Sequence, residues 1–184
     1  SAAVEIEAPS PLLVAQTAPA IRATREIRPV AVKSFGDTVY VFDFGENMAG
    51  VCRLSVQGEK GTKITMQHGE LQKANGRVEM GNIDIYYKPL PGLAFQTDTY
   101  TLKGEGVETF TPDFTYHGFQ YVEVKSDRPV KLNEESLTAL FVHTAVEPVG
   151  TFSCSNELMN KIWKATNQSY LSNLHSIPTD CPQR

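Results

Sequence analysis

The residues best placed to do chemistry in this 184-residue chain are Asp180 and Arg184, in the segment Ile177-Pro178-Thr179-Asp180-Cys181-Pro182-Gln183-Arg184. Pro178 and Pro182 each fix their own φ and push the preceding residue away from helical conformation. Asp180 and Arg184 therefore ride on a stiff connector, a setting that holds a polar group at fixed geometry. The plainer alternative is a frayed segment trailing a helix.

Elsewhere the reactive residue types are dispersed. The histidines stand at 68, 117, 143 and 175, none paired with another His or Cys at metal-ligand spacing, so each is expected to be a surface or satisfied core residue and no metal is expected. Cys52, Cys154 and Cys181 cannot all pair with one another and are not spaced as a metal clip. No Gly-x-Ser-x-Gly elbow, phosphate loop or dinucleotide fingerprint is present, and no cofactor is expected. Gly45…Gly50 and Gly104-Glu105-Gly106 are expected to be turns, with Asn47 shaping the first. Asp43, Glu70, Asp84, Asp98 and Asp113 supply carboxylates at expected loop ends, and no acid/base pair stands out among them. The run from Phe110 to Tyr121 holds five aromatics. It is expected to be core plus a rigid corner, with a sugar-stacking platform as the alternative.

Composition narrows the class. The 17 Lys and Arg are scattered among 21 Asp and Glu, which argues against binding to a nucleic-acid phosphate backbone. No apolar stretch approaches the roughly 20 residues of a membrane span. Residues Ser1-Ala2-Ala3-Val4-Glu5 lack an initiating Met and a signal-like apolar region, which suggests a removed leader or an excised piece of a longer protein. The cysteines leave the compartment open, with a periplasmic or extracellular location favoured over the cytoplasm.

The elements that must position Asp180 are mostly strands. Residues 1–35, with prolines at 9, 11, 19 and 29, suggest an extended connector from an upstream element. Thr38–Phe44 is β-branched and aromatic. Gly50–Val56 alternates, with Cys52, Leu54 and Val56 on one face and Val51, Arg53 and Ser55 on the other. Thr62–His68, Thr97–Leu102, Glu108–Phe110, Gly118–Val124 and Leu137–His143 follow as short strands. The spacing predicts a mainly β fold over 36–145: an antiparallel two-sheet β-sandwich. Residues 71–96 break the rhythm and suggest a long excursion, with Asn75-Gly76 as a hairpin turn. From Ser155 the period becomes helical, with Ser155 as N-cap and a run free of Gly and Pro through Ser176. Leu158, Ile162, Ala165 and Ser169 form one stripe, flanked by Met159, Trp163, Thr166 and Tyr170. One helix on a sandwich cannot bury so wide a stripe, so it is expected to need a partner outside this chain.

These residues carry a resemblance. Phe42-Asp43-Phe44-Gly45-Glu46-Asn47-Met48-Ala49-Gly50 resembles the Asp-Phe-Gly-Gln-Asn-x-x-Gly signature of bacterial α-L-rhamnosidases of glycoside hydrolase family 78. His68-Gly69-Glu70-Leu71 is similar to the family's acidic segment after its third strand. Asp98-Thr99-Tyr100 with Leu102-Lys103-Gly104 is similar to its Asp-x-Tyr-x-x-x-Gly strand. Residues 110–124 resemble its Phe-x-Pro-x-Phe-Thr-Tyr-x-Gly-Phe-Arg-Tyr block. Phe152-Ser153-Cys154-Ser155 and residues 176–184 resemble the entry to its helical catalytic domain. The likeness covers about residues 12 to 184, with Glu46 where the family has Gln and Gln120 where it has Arg.

The resemblance implies a concanavalin-like (jelly-roll type) sandwich over 36–145, and over 146–184 a linker and the first helix of an (α/α)₆ barrel. It implies a parent enzyme that removes terminal α-L-rhamnose from rhamnosylated glycans or glycosides with inversion. By the same resemblance Asp180 contacts the rhamnose hydroxyls, while Cys181, Gln183 and Arg184 brace its loop. The general acid would lie just beyond Arg184 and the base on a later barrel loop. No catalytic residue is then expected within the chain, which alone would be inactive and would rely on the remaining barrel. The alternative function is a stand-alone carbohydrate-binding sandwich using the 110–121 aromatics or the 71–96 loop.

Overall fold

The computed structural model describes residues 3–7, 10, 12–84 and 94–183. Strands β1 (Ile21–Ile27), β2 (Ala31–Ser34), β3 (Val39–Gln57) and β4 (Lys63–Gly69) come first. A small hairpin, β5 (Leu71–Gln72) and β6 (Val78–Glu79), and a short helix α1 (Gly81–Asp84) follow. Then come β7 (Thr97–Thr101), β8 (Val107–Phe110), β9 (His117–Ser126) and β10 (Leu137–Thr144). Helix α2 (Glu157–Ser172) leads into the hairpin β11 (Leu174–His175) and β12 (Ile177–Pro178).

Eight of these strands form one curled antiparallel sheet in the order β1-β10-β3-β9-β4-β7, with β2 and β8 also paired to β3. The curl comes from β3. Its first half pairs with β2 and the second half of β9, and its second half pairs with β10, β8 and the start of β9. One strand thus serves both layers of the sandwich. The expected alternation holds: Cys52, Leu54 and Val56 are buried with Leu137, Ala139 and Phe141 opposite Phe42, Ile64, Met66, Val122 and Val124, all in one apolar cluster. Burying each large side chain contributes roughly 1.5–3 kcal/mol.

One expectation about chain reversal is corrected by the structure. Gly45 to Gly50 is not a turn between strands, because β3 runs straight through it. Pairing with β9 passes from Asp43↔Tyr121 to Met48↔Phe119, so four residues of β3 face one residue of β9. This bulge is built by Gly45, at φ 74, whose N–H bonds Asp43 Oδ1 at 2.7 Å. Phe44 and Met48 flank it and both enter the core, so the strand must continue rather than reverse. Asn47 has no left-handed backbone and instead projects polar groups from the bulge. Within residues 1–35, β1 and β2 are members of the sheet. β1 is highly exposed, and backbone pairing with β10 from Ile21↔Thr144 to Ile27↔Ala139 places it where no burial pattern could. Asn75-Gly76 does close the β5-β6 hairpin, with Gly76 at φ 86.

Helix α2 is capped by Asn156, not Ser155: its side chain accepts from the N–H groups of Leu158 and Met159. It also stops before Ser176. Asn173 returns its Nδ2 to Ser169 O, and Ser176 turns through φ 71, its N–H bonding Thr144 Oγ1 at 2.6 Å. The sandwich captures the chain here, which a helical pattern alone does not reveal.

Candidate functional site

The elbow carrying Asp180 is the β11-β12 hairpin and the turn after it. Thr179 closes it, giving its N–H (2.7 Å) and its hydroxyl (3.1 Å) to Asn173 O at the end of α2. Tyr116, just before β9, stacks on His175 with ring centroids 4.0 Å apart and planes 10° apart. Burial pushes its phenol up, against the lowering effect of the neighbouring Thr179. Gln183 Nε2 donates to Glu70 Oε1 at 3.3 Å, beside the bond to the same oxygen from Asn47 Nδ2 at 3.1 Å. Gly118 makes room for this seat: a side-chain carbon there would meet Gln183 Nε2 at 2.7 Å and Pro182 Cβ at 3.1 Å. Asp180 is exposed on the elbow so held. Arg184, the other residue singled out, lies outside the described residues.

The two departures from the family pattern have local partners. Glu46 makes a double contact with Arg25 (3.1 and 3.2 Å), and Arg25 also reaches Gln168 of α2, whose Nε2 donates to Asn47 O. Gln120 donates to Asp43 Oδ1 at 3.1 Å and to the Tyr121 hydroxyl at 2.9 Å. The bulge of β3 is therefore the point where sandwich, helix and elbow meet. A cavity of about 400 Å³ opens between it and α2, lined among others by Glu46, Asn47, Glu70, Lys161, Gln168 and Pro182.

The sheet also assembles a cluster that spacing along the chain concealed. In the order β9-β4-β7 it brings together His117, His68 and Asp98, whose ligand-capable atoms lie within 4.8 Å of one another. His117 Nε2 is 3.0 Å from Asp98 Oδ2, His68 Nε2 is 3.9 Å from it, and the two imidazoles stack with centroids 4.2 Å apart. Burial, then the neighbouring His117, lowers the His68 imidazole to about 3 against the raising effect of Asp98, so it is neutral. One signal was available: His68 continues the inward phase of Ile64 and Met66, which predicts a buried imidazole needing partners. Its meeting with residues 98 and 117 was not legible. A second cavity, of about 430 Å³, is bounded by Gln96, Asp98, Phe114, Tyr116, His117 and Gln183, so cluster and elbow share a wall.

The aromatic run divides as its surroundings dictate. Phe119 is fully buried against Phe44, Phe110 stacks on Tyr100, and Tyr116 serves the elbow. Phe114 alone stands in solvent, at φ 58, so no flat stacking platform forms. The apolar face of α2 is open as expected: Trp163 is 38% and Ile162 49% exposed, with Leu158, Met159 and Tyr170 also exposed. No helix among the described residues is long and apolar enough to cross a membrane.

Comparison with known proteins follows this division. Residues 33–143 match the bacterial alpha-L-rhamnosidase concanavalin-like domain, and residues 147–184 match the bacterial alpha-L-rhamnosidase 6 hairpin glycosidase domain. An alpha-L-rhamnosidase of Streptomyces avermitilis is 36% identical over 172 residues, covering 94% of this chain and 16% of the relative. The structure of alpha-L-rhamnosidase from Dictyoglumus thermophilum superposes with a TM-score of 0.82 at 42% identity, over 92% of this chain and 18% of that one. The Streptomyces avermitilis alpha-L-rhamnosidase complexed with L-rhamnose superposes with a TM-score of 0.79 at 35% identity, over 94% of this chain and 16% of that one. The chain spans about a sixth of the length of the curated relatives it matches.

Proposed function

We propose, because the chain belongs to the bacterial alpha-L-rhamnosidase family, that it works as part of a glycosidase that removes terminal α-L-rhamnose from rhamnosylated glycans or glycosides with inversion of configuration. Residues 36–145 act as a structural brace, and residues 146–184 open an (α/α)₆ barrel. The observation that carries this reading is the exposed apolar face of α2, formed by Leu158, Met159, Ile162, Trp163 and Tyr170. Such a face suits packing against further helices and has no use on an isolated sandwich.

Inverting hydrolysis uses an acid that protonates the leaving oxygen and a base that activates water on the opposite face of the sugar. The two carboxyl groups are separated by about 6.5–9.5 Å to admit that water. Asp180 takes a third role, accepting hydrogen bonds from rhamnose hydroxyls while the elbow keeps it in register. The bonds from Thr179 to Asn173, the Tyr116–His175 stack and the Gln183–Glu70 bond support that role by fixing the elbow against the sandwich. The acid and base belong to the barrel beyond these residues.

The test is hydrolysis of an aryl α-L-rhamnoside by the 184-residue chain. No release above buffer is the expected result. Turnover by the chain, abolished by substitution of one of its own carboxylates, would place the catalytic pair within these residues and overturn the assignment.

A further inference from the structure

We propose that His68, Asp98 and His117 form a binding site for one zinc-class divalent transition-metal ion, which clamps the adjacent strands β4, β7 and β9 beside the elbow. The site is distinct from the sugar-contact role of Asp180 and does not depend on it.

The hydrogen bonds fix where the free lone pairs are. His68 Nδ1 lies 3.2 Å from Gln96 O, and a carbonyl only accepts, so Nδ1 carries the proton and Nε2 the lone pair. Gln96 Nε2 donates to Gly118 O at 2.7 Å, which turns its Oε1 toward His117 Nδ1 at 3.1 Å. His117 Nε2 in turn lies 3.0 Å from Asp98 Oδ2, and an ion bound here takes the place of the proton between them, which leaves to solvent. One glutamine, through its backbone and its side chain, orients both imidazoles with Nε2 toward Asp98, the arrangement in which metal-bound histidines give their other N–H to an orienting acceptor.

Within the cluster, one lone pair is left unmet. His68 is wholly buried, and its Nε2 has no hydrogen-bond partner. The Asp98 side chain is only 10% exposed, with His117 Nε2 at 3.0 Å and His68 Nε2 at 3.9 Å from Oδ2. An ion sits about 2.0–2.2 Å from each donor, so donors that lie within 4.8 Å of one another close on it through a small ring movement. Two imidazoles and one carboxylate suit zinc, cobalt, nickel or copper, whereas calcium and magnesium take oxygen ligands. The imidazole planes lie 25° apart, so coordination swings the His117 ring partly out of the stack. The cavity of about 430 Å³ that includes Asp98 and His117 in its wall gives that movement room and supplies a water as the open ligand. His68 stays in place, packed edge-on against Phe119.

The experiment is calorimetric titration of the EDTA-treated chain with ZnCl₂, with metal counted by mass spectrometry after gel filtration and Co²⁺ absorption as the reporter of coordination. One ion per folded chain is expected, with a zinc-dependent rise in melting temperature. His117→Gln and Asp98→Asn, each confirmed folded by circular dichroism in EDTA, should weaken binding by at least about 100-fold. Gln96→Ala, which removes the side-chain acceptor facing His117 together with the bond to Gly118 O, should weaken it roughly 10–100-fold. The Cys154→Ser/Cys181→Ser double variant, removing the exposed and half-buried free thiols, should bind as the parent does. No stoichiometric uptake by the folded parent would overturn the site. Binding that survives both ligand substitutions, or is lost with the cysteines, would overturn it equally.

Discussion

Replacing Glu123 with Gln should destabilise the chain by about 3 kcal/mol at neutral pH, with the difference vanishing in acid. Glu123 sits on β9 with its side chain 3% exposed. Arg77 grips both its oxygens, at 2.6 and 2.7 Å, Lys125 adds a contact at 2.9 Å and the Val78 N–H another at 3.2 Å. Burial alone would push the carboxyl up. The bonds from Arg77, then Lys125 and Val78, outweigh it and bring the group from 4.5 down to about 2. A pKa depressed in the folded state stabilises fully above the unfolded value and loses that contribution as pH falls through the folded one. The window is therefore about pH 4.5 down to about 2. The drop from 4.5 to about 2, at about 1.4 kcal/mol per pH unit, comes to roughly 3.5 kcal/mol, which solvent screening of the partly exposed Arg77 and Lys125 brings to about 3. A larger cost is not expected, because Arg77 and Lys125 are 30% and 45% exposed and can turn to water once the carboxylate is gone. Urea unfolding followed by circular dichroism, run on both proteins from pH 7 to pH 2, measures the gap directly. Subtracting the variant cancels the other carboxylates. A gap under 1 kcal/mol at pH 7, or one that stays constant down to pH 2, would refute the reasoning.

Two further outcomes test the elements around the elbow. Asn156→Ala should cost about 1 kcal/mol in urea unfolding by removing the α2 cap, while Ser155→Ala should change little; the reverse ranking would restore Ser155 as the cap. Gly50→Ala should cost about 3 kcal/mol, because the added carbon is driven into Leu140 O where β3 is paired on both sides, and an unchanged urea midpoint would show that β3 and β10 separate freely.

Much of the scaffold was legible because burial patterns are local. The inward phase of Cys52, Leu54 and Val56 follows from period two alone, and Asn75-Gly76 announces its own hairpin through glycine's access to positive φ. Where the reading erred, the deciding partner was distant. Gly45 and Asn47 carry the residue types of a turn, yet Phe44 and Met48 both have core positions to fill, so the strand bulges and goes on. β1 shows no burial pattern to detect because pairing with β10 holds it. α2 ends early because Thr144, more than thirty residues before Ser176, captures the backbone.

The same division applies to the candidate sites. Sequence alone marked the proline-braced elbow with Asp180 and the open apolar face of α2, since prolines constrain their own neighbours and a helical stripe needs no partner to be seen. Only the tertiary structure decided that Glu70 and Tyr116 would hold that elbow, and that His68, Asp98 and His117 would share one buried corner. Their meeting depends on the register of β4 against β7 and β9, a sum of long-range pairings that no spacing along the chain encodes.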